Sequence, residues 1–413
     1  MACPSRKSDF AINSTSVVRS LRGKLPDLEP SLYGKSACIT VDVVSSIVRA
    51  VMLASSPSGS CLLPGTVGET IVAVAKNLGI DGKLIWDMER SGNIGILIGK
   101  RKAEYDLIVD AHIDKPGFSV MSQVQVRGKT TGSLFPCCAN RFKIGLTRTR
   151  GKAVRFDASL GRVITVGSGW IVSDRSHTVE SHLRFECEDG SLRAGDVVLH
   201  AEAPRRRGLR VSGSGLDNAA GVTVVLATSA VLCRAERDLD RAGFNCLIVL
   251  TDNEERAPEG FFGLGAARLA HAVPAPRCGV VVVDTHGVRG DIELGGGISC
   301  GFISALGRGA TVPLNYQAAT LELVEGLNLE ERGTAQANHG YFSRSNDFAF
   351  MRWSSILGLL GVPTYRIHQG REESSLADML GGIKFLSHFV PLILGFGEPA
   401  GSQSGARKSS RGA

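Results

Sequence analysis

Seven side chains able to bind a cation or move a proton stand at the ends of apolar runs or where a loop enters a helix. They are His112, Asp114, Asp217, Glu254, Glu255, Asp284 and His368. Imidazole with carboxylate suits zinc, cobalt or manganese, whereas carboxylates alone lean toward magnesium or calcium. A carboxylate can bridge two ions roughly 3.5 to 4 Å apart, and such a pair can polarise a carbonyl while generating hydroxide at neutral pH. Asp217 is the natural bridge, with His112 and Asp284 on one ion and Glu255 and His368 on the other. Asp114 follows His112 on the same face of an extended segment, where it could hydrogen-bond the imidazole and fix its tautomer. Glu254 is left as the general base for a water between the ions.

The elements that must carry these groups are short and apolar. Cys246 to Glu255, CLIVLTDNEE, reads as a fully buried strand of a parallel sheet that delivers two adjacent carboxylates. Adjacent acids repel, and a pocket at a strand end desolvates them, so both stay ionised only if cations compensate. The plainer alternative has one glutamate opening the next helix and the other facing water. Tyr105 to Asp114 (YDLIVDAHID) and Cys278 to His286 (CGVVVVDTH) repeat the design, and Val362 to His368 (VPTYRIH) ends on an imidazole. Open α/β sheets bind ligands outside the carboxyl ends of their strands, so these strands aim hard ligands at one edge. Asp217 precedes a helix whose Ala219, Ala220 and Gly221 permit close approach to the sheet. Alone it would be an N-cap, and beside the other acids it becomes a ligand. His177, His182, His200 and His271 read as surface or packed residues. His286 and His339 lie nearer the site, where they could touch substrate, and neither is taken as a ligand.

The 413 residues, 43% hydrophobic and 21% charged, suffice for a large core and for two or three domains. No charge-free apolar stretch reaches the roughly 18 to 20 residues of a membrane span, so no membrane partner is expected. The net charge of +7 falls in clusters such as Arg205 to Arg207 and Arg407 to Arg411, without interleaved aromatics, which argues against nucleic acid. Ten scattered cysteines without CxxC spacing fit a reducing, cytoplasmic setting. The N-terminus lacks the apolar core of a secretory signal, while Met1 to Lys24, rich in Ser and Arg and poor in acids, leaves an organellar transit peptide open.

Residues 1–36 read as a flexible leader with a helical stretch near Ser14 to Leu21, and 396–413 as a disordered tail. An α/β catalytic domain is expected over 37–118 and 212–395. Between them, 119–211 shows short alternating segments and frequent turns, which indicates an inserted β-barrel or sandwich. Lys83 to Met88 and Asn93 to Ile98 read as strands. Val41 to Leu53, Gly68 to Leu78, Gly263 to Ala272, Ala318 to Gly326 and Ser375 to Phe389 read as helices.

HID (His112 to Asp114), GLDN (Gly215 to Asn218), NEE (Asn253 to Glu255), VVVDTH (Val281 to His286) and YRIHQGREE (Tyr365 to Glu373) together resemble the co-catalytic metallo-aminopeptidases. Two branches are similar, the glutamyl and tetrahedral aminopeptidases (M42) and the aspartyl aminopeptidases (M18). SPSG (Ser56 to Gly59) resembles the start of the catalytic domain in the tetrahedral branch. The resemblance implies a phosphorylase/hydrolase-like α/β fold, a mixed sheet sandwiched by helices, with a small β-barrel-like dimerisation domain inserted before the bridging Asp217. It also implies two divalent metal ions, zinc with cobalt or manganese as alternatives, and a Glu254 that returns its proton to the leaving amine. Peptide substrates cut at the N-terminal residue are implied as well, in a homo-oligomer between dimer and dodecamer. Relatives of the aminoacylase and carboxypeptidase type carry their extra domain later in the chain. An amidase or deacylase on the same site and an inactive structural or binding subunit are the alternatives. The sequence departs from the tetrahedral branch at Asn218, at Lys115 and in RAPEGFFGLG (Arg256 to Gly265). Lys115 reads either as a solvent-facing strand-end lysine or as a group favouring an acidic N-terminal residue.

Overall fold

The computed structural model describes residues 39–396, apart from 101–103, 127–128, 138–144, 176–180, 237–238, 240–243, 256–262 and 342–343. The expected leader, the tail beyond Phe396 and most of the Arg256 to Gly265 turn lie outside the described residues.

Helices α1 (Val41–Leu53) and α2 (Val67–Leu78) precede strands β1 (Leu84–Ile85), β2 (Ile94–Ile98) and β3 (Leu107–His112). Then come β4 (Gly117–Val126), β5 (Lys129–Pro136), β6 (Gly145–Asp157), β7 (Arg162–Arg175), β8 (Ser181–Gly190) and β9 (Val197–His200). The hairpin β10 (Arg205–Arg207) and β11 (Arg210–Gly213) leads to α3 (Leu216–Arg234), β12 (Cys246–Thr251), α4 (Leu264–Ala272) and β13 (Gly279–Gly287). Next are β14 (Ile298–Gly301), α5 (Leu314–Glu330), β15 (Ala335–Asn338) and the short α6 (Asp347–Phe350). The chain closes with β16 (Ile356–Tyr365), β17 (Glu372–Ser375) and α7 (Leu376–Phe396).

The large sheet runs β1-β2-β12-β3-β13-β16-β17-β11-β10, with β14 and β15 joined beside β16. Its centre, β12, β3, β13 and β16, is parallel, which is why those strands are largely apolar, with Asp110 in the middle of β3 accepting from Thr251 and Asn346. Alternation sends Leu107, Val109, Ile248, Leu250, Val281 and Val283 to one face, against α1, α3 and α7. Ile108, Leu247, Val249, Val280 and Val282 go to the other, against α4 and α6. Helix α3 lies between sheet and helices, so every residue from Leu216 to Leu232 is buried and no polar face is needed. Among the described residues, Leu216–Arg234 and Leu376–Leu394 are apolar and long enough to cross a membrane by composition, yet 94% and 78% of their apolar windows are buried inside the fold.

The inserted barrel closes in the order β4-β5-β8-β7-β6-β9 around Phe118, Val120, Ile171, Phe185 and Val198. Its strands span Gly117 to His200. The β10–β11 hairpin, which local spacing groups with the insert, instead pairs with β17 of the large sheet. Alternation reports that a segment is extended, not which sheet it joins. The expected strand Lys83 to Met88 shrinks to Leu84–Ile85, because Asp87, Glu89 and Arg90 adopt positive φ in the turn that follows. The strand leading to His368 starts earlier, at Ile356, and ends at Tyr365, which leaves His368 in a turn with φ +61. The glycine-rich stretch Gly295 to Ser299 is held by Asp378 of α7, which accepts the backbone N–H groups of Gly295 and Gly297. At Gly297 a Cβ would lie 2.1 Å from the Thr334 backbone.

Candidate active site

Strand register assembles the site. Thr251 of β12 pairs with His112 of β3, and Val282 of β13 pairs with Asp110 of β3. Asp284, two residues beyond Val282, therefore stands level with His112, and Glu254 and Glu255 follow just past the end of β12. The start of α3 and the turn after β16 bring Asp217 and His368 to the same edge.

The structure brings all seven of these residues together. His112 Nε2 lies 3.3 Å from Asp284 Oδ1 and 3.3 Å from Asp217 Oδ1. The other oxygen of that carboxylate, Asp217 Oδ2, lies 3.1 Å from His368 Nε2, which is itself 3.2 Å from Glu255 Oε1. Asp217 thus faces one imidazole with each oxygen. Glu254 Oε2 stands 4.0 Å from His112 Nε2. His112, Asp217, Glu254, Glu255 and Asp284 are all buried.

One role differs from the sequence expectation. Asp114 Oδ1 is 3.6 Å from His112 Nδ1, too long for a hydrogen bond. Its oxygens instead accept the backbone N–H groups of Glu254 at 2.9 Å and Glu255 at 3.0 Å and the Ser58 hydroxyl at 2.5 Å. It ties the SPSG turn to the glutamate pair. Asp217 does not act as an N-cap. That part belongs to Asn218, whose Oδ1 accepts the Gly221 N–H at 2.9 Å and whose Nδ2 donates to Val283 O at 2.9 Å.

Lys115 fits neither reading offered for it. It is buried, and its Nζ donates to Val51 O, Met52 O and Ala54 O at 2.8–2.9 Å, at the C-terminal end of α1. That helix has no basic residue in its own last turn, so the Lys115 amine supplies donors to its terminal carbonyls, while burial pushes its pKa down to about 7.

Glu372 was not singled out by the sequence. Its buried carboxylate accepts Leu216 N at 2.6 Å and Asp217 N at 3.1 Å through Oε2, and His368 N at 3.0 Å through Oε1. The available signal was its place four residues after His368 in YRIHQGREE.

The other histidines have packing explanations. His286 contacts Ser299 Oγ at 2.8 Å and stacks on Tyr341 at 4.0 Å, and burial pushes its pKa down to about 3. His200 lies 3.2 Å from Thr149 Oγ1 and is pushed down to about 4 by burial and then by His368. His339 is exposed beside Phe302, and His271 contacts Ala267 O from an exposed helix face. His177 lies outside the described residues.

The charge balance points to cations. Burial alone would lower the His112 pKa, yet the Glu254 and Asp284 carboxylates raise it well above the usual imidazole range. His368 is raised against its burial by Glu255 and Asp217. Burial pushes Glu254 well up and raises Glu255, and it lifts Glu372 to about 8 with Asp217 adding to it. Burial also acts to raise Asp217, but the His112 and His368 imidazoles beside it hold it below the usual carboxylate range. Imidazoles that retain protons among acids that resist ionisation mark a site short of positive charge. Three buried atoms here, His112 Nδ1, Asp217 Oδ1 and Glu255 Oε1, have no hydrogen-bond partner. Ligand atoms of His112, Asp217 and Glu255 all lie within 4.8 Å of one another. Two imidazoles and three carboxylates with spare lone pairs fit zinc, cobalt or manganese.

No protein-family profile matches the sequence, and no curated protein is similar to it in sequence. Solved structures are similar to it in fold. An aminopeptidase from the archaeon Desulfurococcus kamchatkensis superposes with a TM-score of 0.64 at 16% identity, over 88% of this chain and 99% of that one. The TET1 peptidase of Pyrococcus horikoshii, which can assemble into a tetrahedron or a large octahedral shell, gives 0.63 at 16% identity, over 84% and 98%. An aminopeptidase of the M18 family from Thermotoga maritima gives 0.55 at 13% identity, over 84% and 96%. The chain therefore has the fold of the tetrahedral and M18 aminopeptidases, a mixed α/β sheet between helices with a small closed barrel inserted before Asp217.

Proposed function

We propose that this protein is a dinuclear metal-dependent aminopeptidase that hydrolyses the first peptide bond of its substrates. The observation that carries the reading is the Asp217 carboxylate, which presents one oxygen to His112 and the other to His368. Asp217 would bridge the two ions, with His112 and Asp284 holding one and Glu255 and His368 the other. Zinc, cobalt or manganese bound there would supply Lewis acidity toward the scissile carbonyl and lower the pKa of a water.

The chain's own groups do the rest. Glu254 receives the water's proton on its carboxylate and returns it to the departing amine nitrogen. Asp114 fixes the backbone from which Glu254 and Glu255 project. Burial of the cluster keeps bulk water away and strengthens each electrostatic contact.

The fold shared with the TET1 peptidase supports a homo-oligomer, from dimer to dodecamer. The seven described cysteines form no disulfide, which supports a reducing, cytoplasmic setting.

The test loads metal-free protein with zinc, cobalt or manganese and assays a panel of aminoacyl fluorogenic substrates. The wild type should cleave at least one of them, and Glu254→Gln should bind metal but lose about 10²- to 10⁴-fold in rate. Full metal binding with no cleavage of any aminoacyl substrate refutes the peptidase reading.

A further inference from the structure

Glu372 connects the halves of the site through the backbone. Oε2 accepts from Leu216 and Asp217, the segment that carries the bridging carboxylate, and Oε1 accepts from His368. The segments lie more than 150 residues apart in sequence, and no other carboxylate among the described residues accepts from both. His368 needs such an anchor. It stands beyond the end of β16 with a positive φ, in a region that costs a non-glycine residue unless its surroundings over-determine it. The turn is also held at Gly370 O, which accepts the Ser214 hydroxyl at 2.6 Å.

We propose that Glu372 is a positioning residue that holds His368 at a set distance from Asp217, so that the ion taken by His368 and Glu255 depends on it while the ion taken by His112 and Asp284 does not. The inference rests on the two-ion reading above. Three N–H donors converge on two oxygens, which only a carboxylate satisfies. In Glu372→Gln one oxygen becomes an NH2 donor. The remaining acceptor keeps the pair of bonds to Leu216 and Asp217, and the NH2 group faces the His368 N–H, donor against donor. The bridge stays and the His368 turn loosens.

Isothermal titration of metal-free protein with cobalt tests this, with melting temperature followed alongside. The wild type should bind two ions. Glu372→Gln should bind one at wild-type strength and the other 10- to 100-fold more weakly, the range seen when an outer hydrogen-bond partner of a ligand is removed. Glu372→Asp keeps both acceptor oxygens on a shorter stem and should recover part of that loss, which provides the comparison if the glutamine variant does not fold. Asp378→Ala removes another carboxylate that accepts backbone N–H groups and should lower the melting temperature while leaving both cobalt affinities unchanged. Two wild-type affinities in Glu372→Gln, or an equal loss at both ions, overturn the proposal. A wild type that takes up fewer than two ions instead sinks the two-ion reading on which it rests.

Discussion

Asn218 caps α3 in place of its neighbour Asp217, with Oδ1 on the Gly221 N–H and Nδ2 on Val283 O. The consequence is electrostatic. Had Asp217 capped the helix, its carboxylate would have been spent on backbone donors. Because Asn218 does so, both Asp217 oxygens remain for His112 and His368. Asn218→Ala should cost about 1–2 kcal/mol, as for loss of an N-cap, read as a shift in urea midpoint. It should also weaken metal binding, since the Asp217 backbone loses its tie to β13.

Lys115 closes α1 from a strand end. Replacing it with Met keeps the apolar stem and removes the donors, leaving the carbonyls of Val51, Met52 and Ala54 without them. Each buried unsatisfied group costs about 1–3 kcal/mol, so Lys115→Met should lower the melting temperature clearly. The ratio of cleavage between acidic and neutral N-terminal residues should stay unchanged. A changed ratio would restore a role for the lysine in substrate choice.

Asp378 gives a pH signature away from the site. Burial pushes its carboxyl up to about 6, against the N–H groups of Gly295 and Gly297. An acid whose folded pKa exceeds its unfolded value binds its proton more tightly in the native state. Its contribution is therefore fully present below about pH 4 and is lost as pH rises through about 6. Between pH 6.5 and pH 4 the wild type should gain stability relative to Asp378→Asn, by about 2 kcal/mol. Paired denaturation curves across that window would show a constant gap if the carboxyl does not titrate there.

Metal removal should be visible without substrate. Among the described residues, the buried carboxylates of Asp217, Glu254, Glu255 and Asp284 pair with the imidazoles of His112 and His368. Chelation should lower the melting temperature and zinc should restore it, the gain reaching about 4 kcal/mol at a thousand times the dissociation constant. Asp217→Asn, which removes the bridging charge, should abolish most of that gain in scanning fluorimetry.

The local pattern was enough to read much of this site. An apolar run that stops at His112, at Glu254 or at Asp284 is a short-range signal, because a parallel strand buried on both faces leaves polar groups mostly at its ends. His368 and Asp217 were legible as the end of VPTYRIH and as an acid before small helical residues. What escaped were partners chosen across long separations. Asp114 was expected beside His112 because the two are neighbours along an extended chain, yet its oxygens go to Glu254, Glu255 and Ser58. The β10–β11 hairpin was legible as extended chain, while its place beside β17 was not.

The kinds of groups at the sheet edge, and the α/β class with a β-rich insert, follow from the amino-acid order alone, because burial period and chain-end chemistry are local properties. Tertiary packing decided that Asn218 and not Asp217 caps the helix, that Lys115 points inward to α1, and that Glu372 joins Leu216, Asp217 and His368. The Lys115 and Glu372 contacts, and the Asn218 Nδ2 bond to Val283 O that orients its cap, depend on which donors and acceptors meet when segments more than 60 residues apart fold together, and no spacing along one segment encodes them.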